Sequence, residues 1–210
     1  MAKKGLRRGI FITFEGPEGC GKSTQSRLLY SFLKKSGKRC VYTREPGGTK
    51  TGEMIRKVLL NSKGINISNL AETLLFEASR AQIVNEVISP ALRSGKIVIC
   101  DRYSDSTLCY QGYGGKVPVE DIESIDRIST GGLKPDLTIL LDIDTVTGLK
   151  RARRKGVDRM EEKTLAYHKR VRMGYLKLAG KYPKRIRLVK VRENIESTQK
   201  IVRGEVASVV

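Results

Sequence analysis

The chain is poor in the residues that most often build metal sites and disulfide frameworks. Among 210 residues it has one histidine, His168, and four cysteines, Cys20, Cys40, Cys100 and Cys109. No two cysteines stand in a C-x-x-C spacing and none has a histidine beside it, so neither a zinc site nor a disulfide framework is expected. Reduced thiols fit a cytosolic enzyme. No stretch approaches the about 20 consecutive apolar residues of a membrane span. The basic start MAKKGLRR runs at once into the strand-like GIFITFEG, without the apolar region and cleavage site of a secretory signal. A cytoplasmic protein with no membrane contact is expected. No repeat, low-complexity tract or proline-rich linker interrupts the chain, and its length suits one domain over residues 1–210.

Acidic charge is also scarce relative to basic charge: the formal net charge is +19. Such a balance suits polyanionic partners or phosphorylated substrates, and equally a solvated Lys/Arg surface. The cations are scattered along the chain and cluster only at Lys150–Lys155, so nucleic acid is not the expected partner.

Hydrophobic residues make up 39%, enough for a core. Apolar runs rich in β-branched residues alternate with segments of helical period, the pattern of an α/β fold with a parallel sheet. The expected strands are Gly9–Glu15, Arg39–Thr43, Lys96–Cys100, Leu137–Asp142 and Ile186–Val191. The expected helices are Lys22–Ser36, Ser68–Ser94 (broken near Pro90), Val119–Ser129, Thr145–Lys155 and Lys163–Lys181. The tail after Val191 has weak helical period and no recognisable site.

Residues 16–23 read GPEGCGKS and satisfy G-x-x-x-x-G-K-[ST], between a strand and a helix as that pattern requires. The glycines let backbone N–H groups turn inward around a phosphate, and the helix offers its N-terminal dipole to the same anion. Lys22 is placed to reach the β- and γ-phosphates, and the Ser23 hydroxyl to ligate Mg²⁺. Cys20 is a small residue tolerated in the loop, with no chemical role. The third strand ends IVICDRY, where Arg102 directly after Asp101 suits a second phosphate held near the metal.

Three further segments look like an acceptor site: TREPGGT at 43–49, LLFEASR at 74–80 and DRYSDSTLCYQGY at 101–113. Phe76 and Arg80, four apart, share a helical face. Phe76 can stack on a base, Arg80 can donate twice to a base edge, and Arg102 can clamp a phosphate. Each has a plainer alternative: Phe76 as core, Arg80 in a surface ion pair with Glu77, TREPGGT as a turn.

Taken in order, FITFEGPEGCGKST, TREPGGT, LLFEASRAQ, CDRYSDSTLCYQGY and GLKPDLTILLD resemble thymidylate kinase, a nucleoside monophosphate kinase family of P-loop NTPases. The resemblance covers about residues 9–182. It implies a three-layer P-loop fold, with a five-stranded parallel sheet flanked by helices and a small lid at about 148–161. It implies transfer of the γ-phosphoryl group of ATP to dTMP with Mg²⁺, in dTTP synthesis, by a homodimer. ATP would bind along Gly16, Pro17, Glu18, Gly19, Cys20, Gly21, Lys22, Ser23 and Thr24. Phe76 would stack on thymine and Arg80 would bond its edge, with Thr107 and Gln111 near its other polar atoms. Tyr110 would lie under the deoxyribose and Glu18 near the 3′-hydroxyl, while Arg56 and Arg102 would hold the acceptor phosphate. Glu45 and Asp101 would lie near the metal and its water, joining Ser23. The bond before Pro46 is cis in some members, which the sequence leaves open.

GLKRARRKGVDRME at 148–161 reads either as a solvated charged helix end capped by Gly156 or as a lid over the triphosphate. The resemblance favours the lid. Some thymidylate kinases have glycine in the phosphate loop where others have a catalytic arginine, and compensate with lid arginines. Here that position is Gly19, which assigns the charge to Arg151 and Arg153, with Arg154, Lys155 or Arg159 open for a third contact. Lys22, Arg102, Arg151, Arg153 and Glu18 are then the catalytic set. The alternatives are a kinase for another monophosphate or a deoxynucleoside, and a nucleic-acid-dependent ATPase. A deoxynucleoside kinase would need a base for its acceptor hydroxyl and no Arg56–Arg102 pair.

Overall fold

The computed structural model describes residues 9–61, 64–154 and 159–210. Its strands are β1 Phe11–Glu15, β2 Cys40–Arg44, β3 Ile97–Asp101, β4 Leu137–Asp142 and β5 Ile186–Lys190, joined in one sheet of order β2-β3-β1-β4-β5. Every adjacent pair is parallel. The alternation expected from composition is therefore an all-parallel sheet with helices on both faces.

Side-chain alternation divides the core between those faces. Ile12, Phe14, Ile99, Ile139 and Leu141 pack against Leu29 and Leu33 of α1 (Lys22–Lys35) and Val202 and Val206 of α9 (Ile195–Ala207). Phe11, Val98 and Cys100 meet Ile83, Ile88 and Leu92 on the opposite face. Further along that face, Leu140 and Ile186 meet Val171, Tyr175 and Leu178 of α8 (Leu165–Lys181). Each large apolar side chain so buried contributes about 1.5–3 kcal/mol. Between the two apolar clusters runs a polar seam: Thr13 and Thr138 share a hydrogen bond of 2.8 Å, and Arg185 grips Asp105 at 2.7 and 2.9 Å. Burying polar groups in this way is tolerable because each finds a partner.

The remaining helices are α2 Lys50–Asn61, α3 Asn69–Ile83, α4 Ser89–Arg93, α5 Ser104–Thr107, α6 Val119–Thr130 and α7 Thr145–Arg153. Two differences from the sequence expectation have local causes. The long helix over 68–94 yields before Pro90 rather than at it: Val84–Ile88 is a π-helical turn between α3 and α4. Pro90 has no N–H and its ring crowds the carbonyl four residues back, so the ladder widens just ahead of it. The segment after Val191 is a full helix, because Asn194 caps it by accepting from the amides of Glu196 and Ser197. Lys155, the expected end of α7, lies outside the described residues. No described helix is long and apolar enough to cross a membrane.

Candidate active site

The carboxyl ends of β1, β2 and β3 open into one cleft of 580 Å³, the expected place for a ligand in an open α/β sheet. After β1 the chain turns through Gly16, Gly19 and Gly21, at φ +141°, +67° and +90°, conformations that side-chain-bearing residues rarely adopt. Gly21 starts α1 without a side-chain cap, so the first-turn amides face the loop. Lys22 Nζ donates to the carbonyls of Gly16 and Pro17, at 2.9 and 2.8 Å, and lies 3.5 Å from Cys20 Sγ. Burial raises the pKa of the Cys20 thiol, which keeps it an inert packing group.

Opposite the loop, Ser23 Oγ donates to Asp101 Oδ2 at the end of β3. A hydroxyl beside a carboxylate is a hard-oxygen pair that suits Mg²⁺, an ion usually bound by one or two protein oxygens and otherwise by phosphate and water. No cluster of three or more His, Cys, Asp or Glu ligands exists among the described residues. Glu45 lies at the next strand end, before a cis Glu45–Pro46 bond. One of its oxygens accepts from Arg80 Nε at 2.8 Å; the other, Oε1, is buried without a hydrogen-bond partner among the described residues. Burial pushes its pKa up to about 8, against the pull of Arg80.

Arg102 ties the phosphate loop to the helical wall of the cleft. It sits at φ +72°, a left-handed conformation that costs a non-glycine residue about 1–2 kcal/mol. Its Nη1 donates to Gly16 O, Ser106 Oγ and Tyr175 Oη at 3.2–3.3 Å; its Nη2 donates to Glu18 Oε1 at 2.9 Å and Tyr110 Oη at 3.1 Å. The guanidinium also lies 4.9 Å from the Tyr110 ring centroid. Burial raises the Glu18 pKa, but Arg102 and Lys22 outweigh it and, with the Tyr110 hydroxyl, hold it at about 2. Glu18 is thus an anion in any physiological buffer.

The far wall carries the other expected residues. Phe76 is half-buried and lines the cleft beside Arg56, whose Nη1 donates to Pro46 O at 2.9 Å. Arg80 is fully buried, not a surface residue: it bonds Glu45, Glu77 and, through Nη2 at 3.0 Å, Thr107 Oγ1. Thr107, Tyr110 and Gln111 follow β3 on α5 and its π-helical extension Leu108–Gly114, all three on the cleft wall. Of the basic run, Arg151, Arg153 and Arg154 are all exposed, and Arg151 alone of these three lines the cleft. Arg159 is buried, its Nε donating to Leu59 O at 2.8 Å and its Nη2 paired with Glu72 at 2.5 Å.

The wall also carries residues that the sequence did not single out. Arg44 and Ser106 line the cleft, and so do Arg192, Glu193 and Ile195 after β5, where Gln25 Nε2 donates to Ile195 O at 3.0 Å. That last loop was findable, because it follows the carboxyl end of a strand.

A glycine-loop wall and an arginine-bearing wall, sharing one cleft over a hydroxyl–carboxylate pair, define a P-loop phosphotransferase. Comparison with known proteins narrows the class. The thymidylate kinase family model matches residues 14–202. A thymidylate kinase of Dehalococcoides mccartyi is 52% identical over 176 residues, 84% of this chain and 85% of that one. One from Symbiobacterium thermophilum is 45% identical over 201 residues, 96% and 94% of the two chains. The crystal structure of thymidylate kinase from Ehrlichia chaffeensis superposes with a TM-score of 0.80 at 33% identity, covering 95% of this chain and 99% of that one. The chain belongs to the thymidylate kinase family.

Proposed function

We propose that the cleft binds Mg·ATP and dTMP together and transfers the γ-phosphoryl group to the acceptor phosphate, giving dTDP and ADP for dTTP synthesis. The observation that carries this reading is Arg102. It is held against the phosphate loop through Gly16 O and Glu18, so an acceptor phosphate bound there would face the donor's γ-phosphate.

The chemistry asks little of a general base. A monophosphate has its second pKa near ~6, so it is already a nucleophilic anion at neutral pH. The obstacle is repulsion between two phosphates, and cations and alignment remove it. The glycine-loop amides and Lys22 hold the β- and γ-phosphates; Arg56 and Arg102 hold the acceptor phosphate. Ser23 and Asp101 would hold Mg²⁺, with Glu45 at the neighbouring strand end, and the ion would supply charge neutralisation on the donor phosphates. Phe76 stacks on the base, Arg80 and Thr107 meet its edge, Tyr110 lies under the sugar and Glu18 meets its 3′-hydroxyl. The segment at about 148–161 acts as the lid, bringing Arg151 and Arg153 to the transferring group. The donor base lies along the loop from Arg192 to Ile195.

A homodimer fits the surface. Met54 and Val58 on α2 and Leu70 and Leu74 on α3 are exposed apolar pairs at helical spacing. Such a face is stable when a second copy covers it. The cytoplasm is the compartment that supplies both nucleotides, and nucleic acid has no part in the reaction.

One coupled assay tests the reading: ADP release with each nucleoside monophosphate, with deoxythymidine and with single-stranded DNA. Stimulation by dTMP above all others is the expected result. Turnover that rises only with DNA, or only with deoxythymidine, sinks the proposal.

A further inference from the structure

Whether Gln111 admits one pyrimidine or another depends on which end of its amide faces the cleft. The carbonyl would accept from the N3–H of a 4-oxo pyrimidine; the amide nitrogen would instead suit the N3 lone pair of a 4-amino pyrimidine. A glutamine cannot settle this alone, since its two ends are nearly the same shape.

In this fold a third residue settles it. Gln111 Nε2 lies 2.8 Å from Glu72 Oε1, and Glu72, on α3, is 1% exposed. A carboxylate only accepts, so the nitrogen end of the amide must face Glu72. The carbonyl is then the end left for a ligand: Gln111 lines the cleft, and among the described residues no donor bonds its oxygen. Arg159 Nη2 pairs with the second carboxylate oxygen of Glu72 at 2.5 Å, and Arg159 is itself fixed by Nε to Leu59 O at 2.8 Å. The relay Arg159–Glu72–Gln111 therefore holds the amide in one orientation from behind the wall. Glu72 does not line the cleft.

We propose that Glu72 is the residue that sets acceptor-base selectivity, by fixing the Gln111 amide with its carbonyl toward the base so that 4-oxo pyrimidines are accepted and 4-amino pyrimidines rejected. This rests on the acceptor reading above. Glu72 is a positioning residue and touches no substrate.

The test is the kcat/KM of wild type and Glu72→Gln with dTMP, dUMP and dCMP. Glutamine keeps the shape of the side chain but presents either a donor or an acceptor, which frees the Gln111 amide to turn. The dTMP:dCMP ratio should fall about tenfold or more, through a higher KM for dTMP and a lower one for dCMP, with kcat for dTMP changed less than about threefold. The dTMP:dUMP ratio should not move, because both bases carry N3–H. In a Gln111→Leu background, Glu72→Gln should change the ratio no further. Should Glu72→Gln fold poorly, Arg159→Gln must lower the ratio in the same direction. A wild-type ratio in Glu72→Gln, a fall in stability alone, or an additive double variant overturns the proposal while leaving the acceptor reading intact. A wild-type enzyme that ignores dTMP overturns the acceptor reading, and this inference with it.

Discussion

Gly19 and Gly148 meet backbone to backbone. A Cβ at 19 would sit 1.9 Å from the Gly148 carbonyl oxygen, and a Cβ at 148 would sit 2.4 Å from the carbonyl oxygen of Glu18. The phosphate loop and the fourth residue of α7 can approach this closely only because both lack side chains. An arginine at 19 would have to displace α7, the helix that carries Arg151. Glycine in the loop and arginine in the lid are therefore one packing solution. Gly148→Ala should lower kcat about tenfold or more with a small change in dTMP KM, since it pushes α7 and its arginines away from the loop. Steady-state kinetics check this, and an unchanged kcat would show that the contact is incidental.

Within the basic run, position relative to Gly148 ranks the arginines. Both Arg151 and Arg153 are exposed, but Arg151, three residues on and one helical turn away, lines the cleft and Arg153 does not. Arg151→Ala should cost about 10²-fold or more in kcat, because charge delivered to the transferring group counts most in the transition state. Arg153→Ala should cost less in kcat than Arg151→Ala. The reverse order in single-turnover measurements would move the catalytic charge to the outer face of α7.

What the sequence made legible was set by locality. The phosphate loop is eight consecutive residues between a strand and a helix, so its place and contacts follow from the chain itself. Strand and helix order was equally accessible, because the apolar periodicity changes visibly between segments. The burial of Arg80 was not. Glu77, three residues back on α3, is a partner the spacing offers, but Glu45 after β2 and Thr107 on α5 come from elsewhere, and no spacing along the chain brings them to it. The same holds for Glu72, which reads in sequence as one more helical acid and gains its role from Gln111 and Arg159, 39 and 87 residues away. The helix Lys50–Asn61 was missed although its apolar residues gather on one side, because the Pro-Gly-Gly turn signal directly before it masked its start.

Tyr175, buried on α8, stands behind the cleft wall and holds Arg102 from the rear. Its hydroxyl donates to Glu15 Oε2 at 2.9 Å and accepts from Arg102 Nη1 at 3.3 Å. Tyr175→Phe should therefore loosen Arg102, raising the KM for dTMP about three- to tenfold while leaving the KM for ATP unchanged. Arg102→Lys should be far worse, about 10²-fold in kcat/KM, because one ammonium cannot replace a two-armed donor. Equal effects on both substrates in Tyr175→Phe would place the tyrosine in general packing instead.

The same buried seam gives the protein a pH signature. Glu15 is fully buried at the end of β1, accepting from the Tyr103 amide at 2.7 Å and the Ser106 hydroxyl at 2.5 Å. Burial, then the nearby charge of Asp105, raises its pKa from 4.5 to about 7 despite those hydrogen bonds. A carboxyl with a raised pKa keeps its proton in the folded chain after the unfolded chain has lost it. Its contribution to stability is thus greatest below pH ~4.5, declines as pH rises toward ~7 and is level above that. Glu15→Gln mimics the protonated form and does not titrate. Relative to wild type, the variant should gain stability between pH 5 and pH 8, by about 1–3 kcal/mol over the window. Urea denaturation at pH 5, 6, 7 and 8 measures the difference directly. Because Glu45 and other carboxyls titrate in both proteins, only that difference is diagnostic. Parallel stability curves would mean that Glu15 is ionised in the folded protein throughout, held so by Tyr103, Ser106 and Arg102.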